Sequence, residues 1–244
     1  EAGDTILEIG PGHGELTKLI LEDCRLKSCA VIAIEKDPRL ALDLYTLKNN
    51  SFPDVTFEIL DGDARELLPE IVKNHRITEL PNYKLVGNIP YYITGNLLRI
   101  ISELRPMPVG SVLMFQKEVG ERLMATPPRM NLLAAATQVW ADISIVTRLS
   151  SHDFSPPPEV DSMVVQLDTR TPALLEKESS REQYYRFIRI LFQQPRKTIL
   201  NNLSAGFNLE RAATETILKK QAISPLLRPQ NLTLTELITL SGCF

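Results

Sequence analysis

The sequence predicts an α/β fold in which a mostly parallel sheet is followed by a small all-helical domain. Five short apolar runs are typical of buried strands, and segments with helical spacing separate them. These runs lie near residues 5–9, 30–34, 55–60, 83–87 and 110–115. Strands that alternate with helices form parallel sheets, because each parallel connection has to cross over the sheet. Helical periodicity dominates after residue 172, over residues 184–192, 196–203, 209–218 and 233–240.

These patterns predict two domains, a sheet domain over residues 1–168 and a helical domain over residues 173–244. Residues 143–149 and 163–167 are expected to form a last pair of strands at the sheet edge. The proline-rich segment Ser155–Pro158 lies between those two strands, where a stiff extended loop would hold Phe154 in place.

The first predicted strand runs into a glycine-rich turn, Glu8–Gly14. Glycines let the backbone adopt positive φ and approach a ligand closely. The pyrophosphate fingerprint G-x-G-x-x-G does not fit, because Glu15 stands where the third glycine is required. The acidic Glu8 also argues against a phosphate and favours a cationic or hydroxyl-bearing ligand. A helix is predicted next, with Leu16, Leu19 and Ile20 on one face.

Four successive predicted strands end in or near polar residues, namely Glu8, Glu35, Asp63 and Asn88. Taken singly, each carboxylate is more typical of a solvated loop. The carboxyl ends of parallel strands meet at one edge of a sheet, however, and ligands bind at that edge. Glu35 follows Gly10 at close to the spacing at which an acidic residue meets a ribose. We therefore expect a nucleoside with a positive sulfonium there, with Asp63 at its adenine amine.

The segment Asn88-Ile89-Pro90-Tyr91 is the most informative part of the chain. An Asn side chain and a neighbouring backbone carbonyl are neutral acceptors, which together suit the two hydrogens of an exocyclic amine. Pro90 biases Ile89 towards an extended conformation, and the ring of Tyr91 suits stacking on a flat base. An ordinary strand-to-loop turn with a buried Tyr is also compatible with this tetrapeptide alone.

The chain resembles the rRNA adenine N6-dimethyltransferases of the KsgA/RsmA family along nearly its whole length. The resemblance rests on EIGPGHGELT from Glu8, GDA from Gly62, GNIPYYIT from Gly87, MFQKEVGERLMA from Met114, FSPPPEVDSMVV from Phe154, PRKTILNNL from Pro195 and LRPQNLTLTEL from Leu227. The stretches around Asn88 and Phe154 are the most specific. Family members carry a further segment before the first strand, and we expect the present sequence to lack it.

The resemblance implies a Rossmann-like class I fold that binds S-adenosylmethionine, releases S-adenosylhomocysteine and uses no metal. The implied cofactor-binding residues are Glu8, Gly10, Gly12, Gly14, Glu35, Lys36, Asp63, Ala64 and Asn88. The implied catalytic residues are Asn88, Ile89, Pro90, Tyr91 and Phe154. In this scheme Asn88 and the Ile89 carbonyl orient the target amine, while Tyr91 and Phe154 stack on the adenine, which has to leave its own stack first.

The net charge of −3 is unusual for a protein that binds RNA, but the charge is unevenly distributed. Residues 167–244 carry eleven basic and seven acidic side chains, whereas residues 1–166 carry an acidic excess. Without a resemblance to a known family, an ordinary solvated helix face is the favoured explanation of such a cluster. With the resemblance, we expect Arg122, Arg129, Arg196 and Lys197 to contact RNA.

Composition agrees with a cytoplasmic enzyme, and we expect it to act as a monomer. The three cysteines are too few and too irregularly spaced for a disulfide framework, and no apolar run approaches the length of a membrane span. The expected partner is small-subunit rRNA or an assembling 30S particle. Two alternatives remain open, an Erm-type 23S rRNA methyltransferase and a non-catalytic relative that binds RNA during ribosome assembly.

Overall fold

The structure is a computed structural model that describes residues 3–73, 82–90 and 93–244. Its strands are β1 (Thr5–Ile9), β2 (Ala30–Glu35), β3 (Thr56–Asp61), β4 (Tyr83–Asn88), β5 (Gly110–Gln116), β6 (Ala141–Leu149) and β7 (Ser162–Thr169). Its helices are α1 (Glu15–Lys27), α2 (Pro38–Ser51), α3 (Ala64–Lys73), α4 (Thr94–Glu103), α5 (Lys117–Leu123), α6 (Leu132–Gln138), α7 (Glu178–Leu191), α8 (Ile199–Gly206), α9 (Arg211–Lys220) and α10 (Leu234–Ser241).

The seven strands form one sheet in the order β3-β2-β1-β4-β5-β7-β6. Neighbouring strands from β3 to β5 are parallel, and β7 runs antiparallel to β5. The predicted α/β fold with a strand pair at its edge is confirmed. Gly87 shows how closely the central strands pack, since a Cβ there would lie 2.6 Å from the Ile9 carbonyl oxygen.

The chain divides into two compact units. The first contains Glu1–Gly120 and Ile143–Thr169, and the second contains Glu121–Asp142 and Arg170–Phe244. The chain passes between the units at three points, and the sequence-based boundary, between residues 168 and 173, lies at the last of them, between Thr169 and Arg170. Sequence periodicity did not separate residues 121–142 from the sheet domain. Tyr184 explains their grouping, because its hydroxyl donates a hydrogen bond of 3.0 Å to the Ala135 carbonyl, which joins α7 to α6.

One part of the core of the first unit lies where α1 and α2 pack on the β2 and β3 side of the sheet. Leu21, Cys24, Leu44 and Phe57 are all buried there, and Cys24 and Cys29 are both buried free thiols. Helix α1 forms as predicted, but the apolar stripe of its sequence is not its buried face. Leu16 and Leu19 are 45% and 62% exposed, whereas Thr17, Leu21 and Cys24 are buried.

Candidate active site

The predicted polar residues lie at one edge of the sheet, where the parallel strands end. Ile9 of β1 pairs with Ile34 of β2 on one side and with Gly87 of β4 on the other. In the next pair along the sheet, Glu35 lies opposite Asp61. The carboxyl ends of β1, β2, β3 and β4 are therefore neighbours, as a ligand site in an open α/β sheet requires.

The glycine-rich turn after β1 has left-handed backbone conformations at three positions. Gly10, Gly12 and Gly14 have φ values of +66°, +61° and +82°, which a residue with a Cβ rarely adopts. A Cβ on Gly14 would lie 3.0 Å from the Leu44 side chain, so this glycine lets α1 begin close to α2. A Cβ on Gly12 would meet nothing within 4 Å. The middle of the turn thus borders open space.

Glu35 ties this turn to the end of β2. Its Oε2 accepts a hydrogen bond of 3.0 Å from the Gly12 amide, and its Oε1 accepts from the amides of Lys36 and Asp37 at 2.8 and 2.9 Å. The residue is 7% exposed. A carboxylate offers about four lone-pair directions. Three of these directions are used here, so one remains for a ligand hydroxyl. A second ligand group would have to displace a backbone amide.

Asp63 stands at the start of α3 and is held by two cations. The Arg65 guanidinium donates to both of its carboxylate oxygens, at 3.0 and 2.6 Å, and the Lys36 ammonium donates to Oδ2 at 3.1 Å. The Arg65 backbone amide also donates to Oδ1, which caps the helix. The hydrogen-bonded Arg65 guanidinium is the main reason that the pKa of Asp63 lies far below its usual range. Asp63 is therefore ionised at neutral pH, and Ala64 beside it is buried.

The sequence reasoning missed Arg65. The sequence signal that could have indicated it is its position two residues after Asp63, the acidic residue that caps α3. Arg39 stands at the same spacing after Asp37 at the start of α2 and pairs with it in the same way. Lys36 was predicted to lie at this site, and its ammonium reaches Asp63.

Glu8 is the most unusual group at this edge. It is 1% exposed, and its Oε2 has no hydrogen-bond partner among the residues that the structure describes. Burial raises the pKa of Glu8 to about 7, and the nearby Glu35 carboxylate adds to the rise. The Thr17 hydroxyl beside it opposes the shift but falls short of hydrogen-bond geometry. A buried carboxylate oxygen without a partner suits a cationic or hydrogen-bond-donating ligand group.

Asn88 ends β4 with an exposed side chain. Its carboxamide makes no hydrogen bond within residues 3–73, 82–90 and 93–244. Ile89 is buried, and its amide donates to the Met114 carbonyl at 3.1 Å, which extends the pairing with β5. The Pro90 carbonyl accepts from the Ile93 amide at 3.1 Å as α4 approaches. Tyr91, predicted to stack on the base, lies outside the described residues.

Phe154 follows a short 3-10 helix, Ser151–Asp153, that leads out of β6. Its side chain is half-buried, and its amide donates to the Ser151 carbonyl at 3.4 Å. The structure thus gathers Glu8, Glu35, Asp63 and Asn88 at the strand ends. Phe154 belongs to the same compact unit and lies on the loop between β6 and β7.

The four predicted RNA-contacting cations, Arg122, Arg129, Arg196 and Lys197, all belong to the second compact unit. Their side chains are exposed, and none has an ion-pair partner in the part of the chain that the structure describes. A groove of about 390 Å³ in the same unit is lined by Arg129, Met130, Phe192 and Pro195, among others. An apolar groove beside unpaired cations suits an RNA strand, because bases stack on apolar surfaces while cations hold phosphates.

Two general features hold over the described ranges. No helix there is both long and apolar enough to span a bilayer. No three His, Cys, Asp or Glu side chains come together there as ligands of a metal ion.

The sheet order, the antiparallel β7 and the polar strand ends define the class of the fold, a Rossmann-like class I methyltransferase. Two solved structures share it over nearly the whole chain. A dimethyladenosine transferase from Plasmodium falciparum gives a TM-score of 0.76 at 24% identity, covering 98% of this chain and 89% of its own. The 23S rRNA methyltransferase ErmE gives 0.73 at 23% identity, covering 99% and 91%. At these identities the likeness shows the fold alone.

The chain belongs to the ribosomal RNA adenine dimethylase family, whose model matches residues 1–240. It is 33% identical to ribosomal RNA small subunit methyltransferase A of Dehalococcoides mccartyi over 96% of this chain and 76% of the relative. It is 36% identical to the protein of the same name from Chlorobium limicola, over 90% and 77%. The resemblance identified in the sequence is confirmed, and so is the class of fold.

Proposed function

We propose that this protein is a methyltransferase that dimethylates N6 of two adjacent adenosines in the 3′-terminal hairpin of 16S small-subunit rRNA. The observation that carries the proposal is the exposed Asn88 carboxamide, which has no partner among the described residues, at a sheet edge that also presents Glu8, Glu35 and Asp63. Membership of the rRNA adenine dimethylase family and the names of its relatives support rRNA adenine as the substrate.

The residues at the edge fit S-adenosylmethionine. When bound, this cofactor supplies a methyl group on a positively charged sulfur. Glu8 has an unpartnered buried oxygen that suits a cationic amino group, and the space beside Gly12 leaves room for a ligand close to the backbone. Glu35 retains one acceptor direction for a ribose hydroxyl. Asp63 would accept a hydrogen bond from the adenine amine once the Lys36 ammonium or the Arg65 guanidinium gives up one of its own hydrogen bonds to that carboxylate.

The target adenine would be held by Asn88 and Ile89. Two neutral acceptors, the Asn88 side chain and the Ile89 carbonyl, bind the two amine hydrogens and draw the nitrogen lone pair out of conjugation with the ring. Tyr91 and Phe154 then supply stacking surfaces for a base that has left its helix. Holding two reactants in a reactive geometry lowers a barrier by roughly 7–11 kcal/mol, so no strong base is needed.

The RNA would be held mainly by Arg122, Arg129, Arg196 and Lys197. Unpaired cations release condensed counterions from the RNA backbone when they bind phosphates, and this release makes affinity depend strongly on salt. We further propose that the protein acts as a monomer in the cytoplasm, on small-subunit rRNA or an assembling 30S particle.

The direct test is labelled methyl transfer onto 30S and 50S subunits from strains that lack these modifications, followed by nucleoside analysis. Dimethyladenosine in the small subunit alone is the expected result. Incorporation only into 23S rRNA would instead indicate an Erm-type enzyme, and tight RNA binding without incorporation would indicate a non-catalytic relative.

Asn88→Ala tests the site itself. Because Asn88 is exposed at the end of β4, the variant is expected to keep its fold and lose methylation altogether. Circular dichroism and S-adenosylhomocysteine binding report on the fold and the cofactor site separately. Near-normal turnover by the folded variant would contradict the role given to Asn88.

A further inference from the structure

Asp161, just before β7, is hydrogen-bonded to two other parts of the first compact unit, the turn at Ser151 and, just beyond the end of β5, Lys117. Its Oδ1 accepts a hydrogen bond of 3.2 Å from the Ser151 amide. Its Oδ2 accepts from the Lys117 ammonium at 3.4 Å, and its backbone carbonyl accepts from the Lys117 amide at 2.9 Å. The residue immediately precedes β7, while Ser151 begins the turn that leads to Phe154.

Continuous pairing leads from Asn88 to this point. Asn88 lies opposite Met114 of β5, and the Ile89 amide bonds to the Met114 carbonyl. β5 ends at Gln116, so Lys117 stands directly beyond the strand that flanks the Asn88 end of β4. Asp161 therefore connects the end of β5, which its backbone carbonyl holds through the Lys117 amide, to the turn that carries Phe154, which its carboxylate holds through the Ser151 amide.

The turn has a second, local set of bonds that does not involve Asp161. The Ser150 amide donates to Asp153 Oδ2 at 2.7 Å, and the His152 amide donates to Ser150 Oγ at 3.3 Å. These contacts preserve the shape of the turn. Among the hydrogen bonds of the described residues, the one from Ser151 to Asp161 is the side-chain contact that ties the turn to another element.

We infer that Asp161 is a positioning residue that fixes Phe154 relative to Asn88, and thereby sets how the target adenine is clamped. This inference rests on the proposed function.

Asp161 is charged and partly exposed. Hydrogen bonds from the Ser151 amide and, to a smaller extent, from the Lys117 ammonium hold the pKa of Asp161 below its usual value. The carboxylate is therefore charged at neutral pH and strengthens both bonds. Asp161 and Lys117 side chains are 45% and 46% exposed, and such an exposed ion pair contributes little to folding. The effect of Asp161 is thus expected in the position of Phe154 more than in stability.

Four variants separate positioning from other effects. Asp161→Ala removes both side-chain bonds, whereas Asp161→Asn keeps an acceptor for the Ser151 amide. Lys117→Met removes only the ion pair. Glu159→Gln is the matched control, because Glu159 lies two residues away, is exposed and makes no side-chain contact within the described residues.

The expected result for Asp161→Ala is a kcat for methyl transfer that falls by about tenfold to a hundredfold, with the KM for S-adenosylmethionine unchanged, since a small misplacement of a clamping group costs that much. The ratio of monomethyladenosine to dimethyladenosine should rise, because the second transfer needs the bulkier monomethyl base to be held again. Asp161→Asn should recover most of the activity, and Lys117→Met and Glu159→Gln should remain near wild type.

Amide hydrogen exchange gives a readout that does not depend on activity. Residues 151–154 should exchange faster in Asp161→Ala than in the wild type, while the strands keep their protection. A wild-type kcat and product ratio in folded Asp161→Ala would overturn the inference, as would equal inactivity of Asp161→Asn or unchanged exchange at residues 151–154. If the wild-type protein itself transfers no methyl group to rRNA, the proposed function fails, and the exchange experiment still decides whether Asp161 holds the turn.

Discussion

Replacing Glu8 with Gln is expected to remove a loss of stability that the protein otherwise undergoes as pH rises from about 4.5 to about 7. The pKa of Glu8 is about 7 in the fold against 4.5 for a free carboxyl, and burial is the main cause. Between these values the folded protein keeps the Glu8 proton while the unfolded chain releases it. The unfolded state binds fewer protons, so the free energy of unfolding falls with rising pH and levels off above about pH 7.

The size of the effect follows from the pKa difference. A shift of this size corresponds to about 3 kcal/mol of stability, lost gradually across the window. Glu8 is 1% exposed, so solvent screening does not reduce this figure much. Gln has nearly the same shape and cannot ionise, and its amide can donate to the Thr17 hydroxyl, which is buried without a partner.

Urea unfolding of both proteins without cofactor, at half-unit steps from pH 4.5 to pH 8, measures this difference directly. The free energy of unfolding of the variant, relative to that of the wild type, is expected to rise by about 3 kcal/mol across the pH series and to stay constant above pH 7.5. Glu22→Gln is the control for a charge lost at an exposed position of α1. A difference between Glu8→Gln and wild type that stays constant with pH would refute the raised pKa of the buried Glu8.

Two further predictions concern the cofactor turn and the RNA surface. Gly12→Ala places a methyl group in open space at a φ of +61°, so it should cost about 1–2 kcal/mol of stability from backbone strain and should also weaken S-adenosylhomocysteine binding in calorimetry. Unchanged affinity would mean that no ligand occupies the space beside Gly12. Arg196→Ala and Lys197→Ala should each reduce the slope of log affinity for rRNA against log salt by about 0.7–0.9. Lys219→Ala, whose ammonium already pairs with Glu215 at 2.7 Å, should leave that slope nearly unchanged.

The sheet edge was predictable from the sequence because strand ends in a parallel sheet are set by hydrophobic runs. Once the runs before Glu35 and Asn88 are recognised as parallel strands, their ends have to meet. The buried face of α1 was not predictable in the same way. Leu16 and Leu19 of its apolar stripe are exposed, whereas Thr17, Leu21 and Cys24, which also have helical spacing, are buried. Periodicity alone was compatible with either face, and tertiary packing decided between them.

Arg65 was missed for a related reason. A lone Arg in the first turn of a helix has the sequence signature of a solvated charge, and only the structure shows its guanidinium across both oxygens of Asp63. That contact matters because it leaves Asp63 ionised and already hydrogen-bonded to a cation, whereas the Asn88 side chain has no hydrogen-bond partner within the described residues. A ligand amine at Asp63 therefore has to compete with a cation.

Glu35 joins these observations into one physical argument. Its carboxylate was predicted to meet a ribose, and in the structure it also holds the glycine turn through the Gly12 amide. The bond orients the turn before any ligand arrives, so less conformational entropy is lost on binding than a loose glycine loop would lose. A ribose hydroxyl that replaced the Gly12 amide would release the turn, whereas one that used the remaining lone pair would leave it held. The geometry of Glu35 therefore favours a cofactor that adds to the existing bonds, with the turn already shaped to receive it.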